Sequence, residues 1–230
     1  MKAGYVAIIG QPNVGKSTLL NRLIGEDLAI VTPKPQTTRD NILGILNKEN
    51  AQIVFLDTPG FHKSNKPLNI MMLENIDKAL EDADLVVLVV EPKKVPDNIE
   101  LELFDRIKGK VIIVINKIDK VMAEPWGHTV ERYYSEFKGA PTIALSAATG
   151  QGCEILVNKI VESLPDGEPF YPPDEFTTHN MRFLAGEIIR EQAMLNLKQE
   201  LPYALKVEIN SFNEEPGKIG LARIQASIII

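Results

Sequence analysis

Apolar positions fall along this chain in two rhythms. Five short runs, YVAIIG (5–10), QIVFLD (52–57), DLVVLVV (84–90), KVIIVIN (110–116) and PTIALS (141–146), are dominated by Val, Ile and Leu without strict alternation. Strands covered on both faces read this way, because neither face meets water. Between them, apolar residues recur at three- and four-residue spacing in STLLNRLIG, LNIMMLENIDKALEDA, IELELFDRI and CEILVNKIVESL, the mark of helices with one buried stripe. The alternation predicts a doubly wound α/β domain with a mostly parallel sheet. In NILGILNKENAQIVFLD a polar KEN turn divides two strand-like runs, so one hairpin is expected to add an antiparallel edge strand.

The rhythm then changes. SLPDGEPFYPPDEF (163–176) carries four prolines and a glycine and reads as a stiff linker. The chain is accordingly divided into a first domain over 1–164, a linker over 165–176 and a second unit over 177–230. In the second unit a helical pattern over 180–199 places Phe183, Leu184, Ile188, Ala193 and Leu197 broadly on one side. In the strand that follows, Leu205, Val207 and Ile209 face one way and Lys206 and Glu208 the other; in the last, Ile224, Ala226, Ile228 and Ile230 share a face. One helix and one hairpin bury too little to stand alone, so this α+β unit is expected to be incomplete or docked.

Composition adds a few limits. The 230 residues are 44% hydrophobic with a formal net charge of −6, which disfavours nucleic-acid binding over the whole surface but leaves room for a local basic patch. Cys153 is the only cysteine, which excludes a disulfide framework and fits a reducing compartment. The N-terminus runs straight into a strand without signal-peptide features, and no apolar run approaches about 18 residues. The expectation is a soluble cytoplasmic chain without a transmembrane segment, with peripheral membrane contact left open.

Candidate chemistry gathers at strand ends. GQPNVGKS (10–17) fits G-x-x-x-x-G-K-S between a strand and a helix. Gly10 and Gly15 let the backbone wrap with its N–H groups inward, Gln11, Pro12, Asn13, Val14 and Thr18 belong to the same cradle, and the helix terminus adds its dipole. Lys16 is placed to bridge β- and γ-phosphates and the Ser17 hydroxyl to bind Mg²⁺. A glycine turn serving only strand–helix geometry is the plainer alternative, and the context weighs against it. NKID (116–119) ends a later strand, at the edge where open α/β sheets bind ligands. The Asp119 carboxylate can accept from guanine N1–H and the N2 amine, a pair that adenine lacks. Asn116 can tie loops together, and the Lys117 stem can cover the ring. In SAATG (146–150), Ser146, Ala147 and Ala148 are expected beside the base, with the Ala147 N–H toward guanine O6. Alone, NKID could be a polar helix cap; three loops at three strand ends argue for guanine.

Taken in order, G-x-P-N-V-G-K-S, T-T-R-D, D-T-P-G, N-K-I-D and S-A-A resemble the Era-type translation-factor-related P-loop GTPases over about residues 4–163. FLAGEIIREQAM followed by LPYALKVEINSF is similar to the helix and first strand that open that family's RNA-binding KH domain. The resemblance implies a GTP/GDP-binding, slowly hydrolysing, Mg²⁺-dependent switch that serves maturation of the small (30S) ribosomal subunit through its ribosomal RNA (16S rRNA). It implies that Thr38, with Thr37 as fallback, completes the Mg²⁺ shell beside Ser17. Asp57 would hold the ion through water in the turn Asp57, Thr58, Pro59 and Gly60, whose Gly60 N–H would meet the γ-phosphate.

Phe61 stands where Ras-like GTPases keep a water-positioning glutamine, and it has nothing to offer a water. It is expected as a buried aromatic packing its loop. The resemblance offers Asn13 as one candidate replacement, since in potassium-dependent relatives the residue there helps bind K⁺ where an arginine finger's charge would sit; the alternative is a turn residue bonded locally. The expected catalytic set is Lys16, Thr38, Gly60 and Asn13. His62 and Lys63 read as solvated loop residues, His128 and His179 as isolated, Cys153 as buried, and Met71 and Met72 as a helix core stripe. GKIG (217–220) matches the KH clamp G-x-x-G in form but falls between two predicted strands, so it is taken as a hairpin turn. The clamp is expected beyond the last strand, which would leave this chain weak for RNA. The basic residues Arg182, Arg190, Lys198, Lys206, Lys218 and Arg223 are nearly cancelled by glutamates. Two rivals remain: a guanine-nucleotide sensor without turnover, and a tRNA-modification GTPase of the same group, which would carry a cysteine-bearing C-terminal motif.

Overall fold

The computed structural model describes residues 1–32, 34, 37–38, 41–61, 67–93, 95–120, 126–197, 205–214 and 222–229. The chain forms two compact units, residues 1–29 with 38–178, and residues 30–37 with 179–230.

The first unit is built on β1 (Lys2–Gly10), which pairs in parallel with β3 (Ala51–Asp57) on one side and β4 (Leu85–Val90) on the other. β5 (Lys110–Ile115) and the short β6 (Thr142–Ala144) extend the parallel sheet beyond β4, while β2 (Ile42–Lys48) lies antiparallel to β3 at the opposite edge, where the KEN hairpin placed it. All six positions of β4 are buried, which is why LVVLVV has no alternation. Ala7 and Ile9 of β1 face a layer formed by Ile76 and Ala79 of α2 (Pro67–Asp82), Leu103 of α3 (Asn98–Arg106) and Tyr133 of α4 (Trp126–Glu136). The alternate positions Val6 and Ile8 are equally buried, and α1 (Lys16–Ile24) and α5 (Cys153–Ser163) bring Leu19, Leu20, Leu23, Leu156 and Ile160 to that side. α4 is absent from the helical patterns in the sequence because only Val130, Tyr133 and Phe137 mark its inner face, yet Tyr133 and Phe137 are fully buried. Met72 is buried as expected, whereas Met71 is exposed.

The proline-rich stretch lies against this unit as a strap. At its start the Ala3 N–H donates to the Pro165 carbonyl (3.2 Å) and the Gly167 N–H to the Met1 carbonyl (3.0 Å). At its end the Ile45 N–H of edge strand β2 donates to the Phe176 carbonyl (2.8 Å), and the Thr177 hydroxyl to the Leu43 carbonyl (2.6 Å). Between them, buried Gln52 accepts from the N–H groups of Phe170 (2.6 Å) and Tyr171 (3.0 Å) and donates to the Tyr171 carbonyl (2.8 Å). The strap thereby gives an open sheet edge partners it would otherwise seek elsewhere.

The second unit has one helix and one hairpin. α6 (Met181–Asn196) is capped by the Asn180 side chain, which accepts from the Phe183 N–H (2.9 Å). β7 (Lys206–Glu214) and β8 (Ala222–Ile229) pair antiparallel, with an irregularity between Ile209 and Ser211. Its small core joins Ile30, Met194 and Leu205, with Ala193, Leu197 and Val207 packed around them. The expected apolar stripe on α6 is corrected here: Ile188 is 53% exposed, and the buried positions are Met194 and Arg190. Arg190 tolerates burial because its guanidinium meets strong acceptors, with two bonds to the Glu187 carboxylate (2.8 and 2.5 Å) and one to the Thr37 carbonyl (2.8 Å). Val31 and Lys34 are fixed to the same helix: the Val31 N–H donates to Glu191 Oε1 (2.8 Å), and Lys34 Nζ donates to the Met194 carbonyl and to that of Leu197 (2.7 Å), a cation at a helix C-terminus. GKIG lies outside the described residues. Among the described residues no helix is long and apolar enough to cross a membrane.

Gln52→Leu tests the strap. The substitution removes the amide that holds Phe170 and Tyr171, and unfolding in urea should show a loss of about 1–3 kcal/mol. Limited proteolysis should cut residues 165–176 faster than in the parent chain.

Candidate functional site

The loop that follows β1 is shaped by what cannot fit around it. A Cβ on Gly10 would come within 2.3 Å of the Val89 carbonyl, and one on Gly15 within 2.3 Å of Asn116 Nδ2. Gly15 also takes φ +99° as the N-cap of α1, a left-handed conformation that side chains disfavour. Lys16 opens the helix and is buried, with its ammonium donating to the carbonyls of Gly10 (3.3 Å) and Gln11 (3.1 Å). Asn13 sits exposed at the tip with φ +64°.

Beneath this loop three oxygens converge. The Ser17 hydroxyl donates to Asp57 Oδ2 (2.7 Å) and lies 3.0 Å from the Thr38 hydroxyl. Asp57 is fully buried, and its Oδ1 has no hydrogen-bond partner among the described residues. A buried carboxylate oxygen without a donor is costly, so the arrangement fits a bound cation, and a set made only of oxygens suits a hard ion such as Mg²⁺. Thr38 is the threonine beside Ser17. The Thr37 hydroxyl is spent within the second unit, on the Lys34 carbonyl (2.7 Å) and the Thr32 hydroxyl (2.7 Å).

The turn after β3 presses on the loop from the side. Thr58 is buried, with its hydroxyl donating to the Ile8 carbonyl (2.9 Å), and the Phe61 N–H donates to the Gly10 carbonyl (3.0 Å). A Cβ on Gly60 would approach Pro12 to 2.7 Å, so only glycine allows this approach. Phe61 is 2% exposed in the hydrophobic layer, with the Arg106 guanidinium 5.3 Å from its ring centroid. It is the buried aromatic that the sequence led us to expect. His62 and Lys63 lie outside the described residues.

At the ends of β5 and β6 the remaining motifs meet. Buried Asn116 donates to the Val14 carbonyl (2.9 Å) and accepts from the Ala147 N–H (2.9 Å), tying the first loop to SAATG. Here the N–H expected to face guanine O6 is already engaged by Asn116. Asp119 stands on a short 3₁₀ turn, Ile118–Lys120, and receives the Ser146 hydroxyl on Oδ1 (2.6 Å), which orients its other oxygen. Lys117, at φ +64°, donates to the Asn13 carbonyl and the Glu91 carboxylate, which lays its stem along the loop. Pro59 and Val14 are buried, Thr18 is half-buried on α1, and Ala148 is exposed. Three supporting residues went unnoticed in the sequence. Arg22 donates to the carbonyls of Ala147 (3.0 Å) and Ala148 (2.6 Å), Glu91 receives Lys117, and Asp97 holds Gln11; none belongs to a spacing pattern. Cys153 is buried beside this region, and burial pushes its thiol pKa up.

The electrostatics mark the site as built for ligand charge. Burial pushes the Asp57 carboxyl up to about 6, against the opposing pull of Lys16 and Ser17, and burial lowers Lys16 to about 8, against Asp57. Two buried charges thus compensate each other only in part.

The family described as 50S ribosome-binding GTPase matches residues 5–117. The GTPase Era of Syntrophus aciditrophicus is 41% identical over 230 residues, which span 99% of this chain and 75% of that protein. A crystal structure of an Aquifex aeolicus Era variant bound to GDP·AlF₄⁻ superposes with a TM-score of 0.93 at 36% identity, covering all of this chain and 79% of that one. An Era structure in complex with MgGDPNP and nucleotides 1506-1542 of 16S ribosomal RNA matches equally well, with a TM-score of 0.93, 37% identity and the same coverage.

The two shifts set a pH window. Asp57, raised from 3.8 to about 6, favours the fold below its unfolded value and loses that contribution as pH rises through about 6. Lys16, lowered from 10.5 to about 8, favours the fold above its unfolded value and loses that contribution as pH falls through about 8. Between those values both are charged and both burial costs stand. The rise in Tm on adding Mg·GDP, followed by scanning fluorimetry, should therefore peak between pH 6 and 8 and shrink on either side. A flat profile from pH 5 to 9 would contradict it.

Proposed function

The chain belongs to the Era family of GTPases, and on that premise we propose that it is a GTP-hydrolysing switch acting in assembly of the small ribosomal subunit through 16S ribosomal RNA. The observation that carries the site assignment is the Asp57 oxygen left without a donor among the hydroxyls of Ser17 and Thr38, directly under a phosphate-loop sequence. Guanine is read by Asp119, held in orientation by Ser146, while Asn116, Ala147 and Ala148 form the rest of the base loop. The domain division follows: a GTPase domain over 1–164, the strap over 165–176 and a KH-like RNA-binding part over 177–230, in a cytoplasmic protein.

Hydrolysis joins a water oxygen to the γ-phosphorus and breaks the bond to the oxygen bridging the β- and γ-phosphates, giving GDP and phosphate. Ser17, Thr38 and Asp57 would hold Mg²⁺, which supplies positive charge to the phosphate oxygens when bound. Lys16 keeps the Gln11 carbonyl and turns the rest of its ammonium from the Gly10 carbonyl to the β- and γ-phosphates, which offset the cost of its burial. The backbone N–H groups of residues 13–18 line the phosphates, and the Gly60 N–H is spent on the γ-phosphate. Phe61 is fixed in the hydrophobic layer and orients no water, so the charge that helps the transition state comes from elsewhere. Asn13, at the loop tip, is the residue to hold K⁺ there.

A second reading, a nucleotide sensor without turnover, is favoured by the burial of Phe61. Turnover of GTP by the purified chain with Mg²⁺, in potassium and in sodium, with ATP as control, separates the two. Hydrolysis of GTP but not ATP, faster by about tenfold or more in potassium and losing that difference in Asn13→Ala, is the expected result. Equal slow rates in both salts would remove potassium and keep the GTPase. Tight binding without turnover would replace the switch with the sensor.

A further inference from the structure

Behind the phosphate loop lies a polar cluster that the mechanism above does not use. Asp97 is the N-cap of α3: its Oδ1 accepts from the N–H groups of Ile99 (3.0 Å) and Glu100 (2.9 Å), and Glu100 Oε2 accepts from the Asp97 N–H (2.9 Å), a complete capping box. A cap needs one side-chain oxygen, and serine would serve as well. Asp97 does more. Both of its oxygens receive Gln11 Nε2 (3.0 and 2.9 Å), across 86 residues of sequence, and Oδ2 also receives Lys93 Nζ (2.6 Å). Lys93 in turn is held by the buried carboxylate of Glu100 (2.9 Å). Burial alone would raise the Asp97 pKa, but the bonds from Lys93 and Gln11 bring it down to about 2, so the carboxylate stays ionised throughout the working pH range.

An anionic side chain behind a phosphate cradle is unfavourable unless something requires it there. Gln11 supplies the reason. Its neighbour Gly10 is fixed by the Phe61 N–H, its other neighbour Pro12 is pressed by Gly60, and its own carbonyl is one of the two that hold the Lys16 ammonium. The residue before a proline has little backbone choice. With the side chain clamped by Asp97 as well, the orientation of the Gln11 peptide is set, and with it the place from which Lys16 reaches the phosphates.

We propose that Asp97 is a positioning residue for GTP hydrolysis, holding Gln11 from the N-terminus of α3 so that the Gln11 carbonyl presents Lys16 in register with the phosphates. The inference rests on the preceding assignment of residues 10–18 as the phosphate site. Asp97 touches no substrate; it acts through Gln11.

The test is a double-mutant cycle in the full chain. Asp97→Ser keeps a helix cap but is too short to hold Gln11, and Gln11→Met keeps the side-chain length without the amide. Each single variant should lower kcat for GTP by about tenfold to a hundredfold, the scale of a misplacement of about 1 Å, with KM changed less than about threefold and Tm close to the parent. The double variant should be no worse than the singles, because the two residues form one contact. Gln11→Arg should lower kcat less than Gln11→Met when Asp97 is present, since a guanidinium meets the same carboxylate, and should lose that advantage in the Asp97→Ser background. A fall in Tm with kcat unchanged would reduce Asp97 to a helix cap and overturn the proposal, as would additive losses in the double variant. A parent chain that binds guanine nucleotide without turning it over would contradict the previous subsection instead, and the GDP release rate then decides. Release several-fold faster in both singles, and no faster in the double, supports the clamp; unchanged release overturns it.

Discussion

The Asn116 side chain is the joint on which the site depends. One amide, on the residue just past β5, joins the carbonyl of Val14 to the N–H of Ala147, and it does so while 1% exposed. Each bond is worth on the order of 1 kcal/mol net, but a buried donor and acceptor left without partners cost more than the bonds contribute. The same amide is why position 15 must be glycine, since any side chain would occupy its place. Two loops at neighbouring strand ends, the one after β1 and the one after β6, are thereby held at a spacing that this one side chain helps to set.

The charges follow the opposite logic. Lys16 and Asp57 are buried with partners that satisfy them only in part, and the Asp57 Oδ1 has none among the described residues. A chain selected for stability alone would replace such a pair with packed hydrocarbon. The cost of burying them is of the kind that a ligand's charge offsets. Perturbed titration in a cleft is a frequent companion of function for this reason.

The motifs were legible because they are local. Gly10, Asp57, Gly60, Asn116, Asp119 and Ser146 stand at or just past a strand end, and Lys16 and Ser17 open the helix that follows the first of them, so a short pattern marks each place. The sheet was legible because strands covered on both faces leave continuous apolar runs. What escaped notice depends on distant partners. Asp97 is an ordinary helix cap until Gln11 is placed beside it, Arg22 an ordinary helix charge until the Ala147 and Ala148 carbonyls arrive, and Glu91 an unremarked strand-end acid until Lys117 lies across it. α4 was missed because two aromatics carry a face that a periodic stripe would normally mark. The buried face of α6 was misjudged because a guanidinium held by Glu187 and the Thr37 carbonyl is buried, while Ile188 is exposed.

The peptide bond between Thr37 and Thr38 is also the border between the two units. On one side the Thr37 carbonyl is held by Arg190 of α6; on the other the Thr38 hydroxyl lies against Ser17. Two neighbouring residues with the same side chain thus answer to different partners: Thr37 is committed to α6, and Thr38 to the hydroxyl of Ser17. A slip of one residue at this point would hand each partner the wrong threonine, so a repeated letter in the sequence carries two distinct structural assignments.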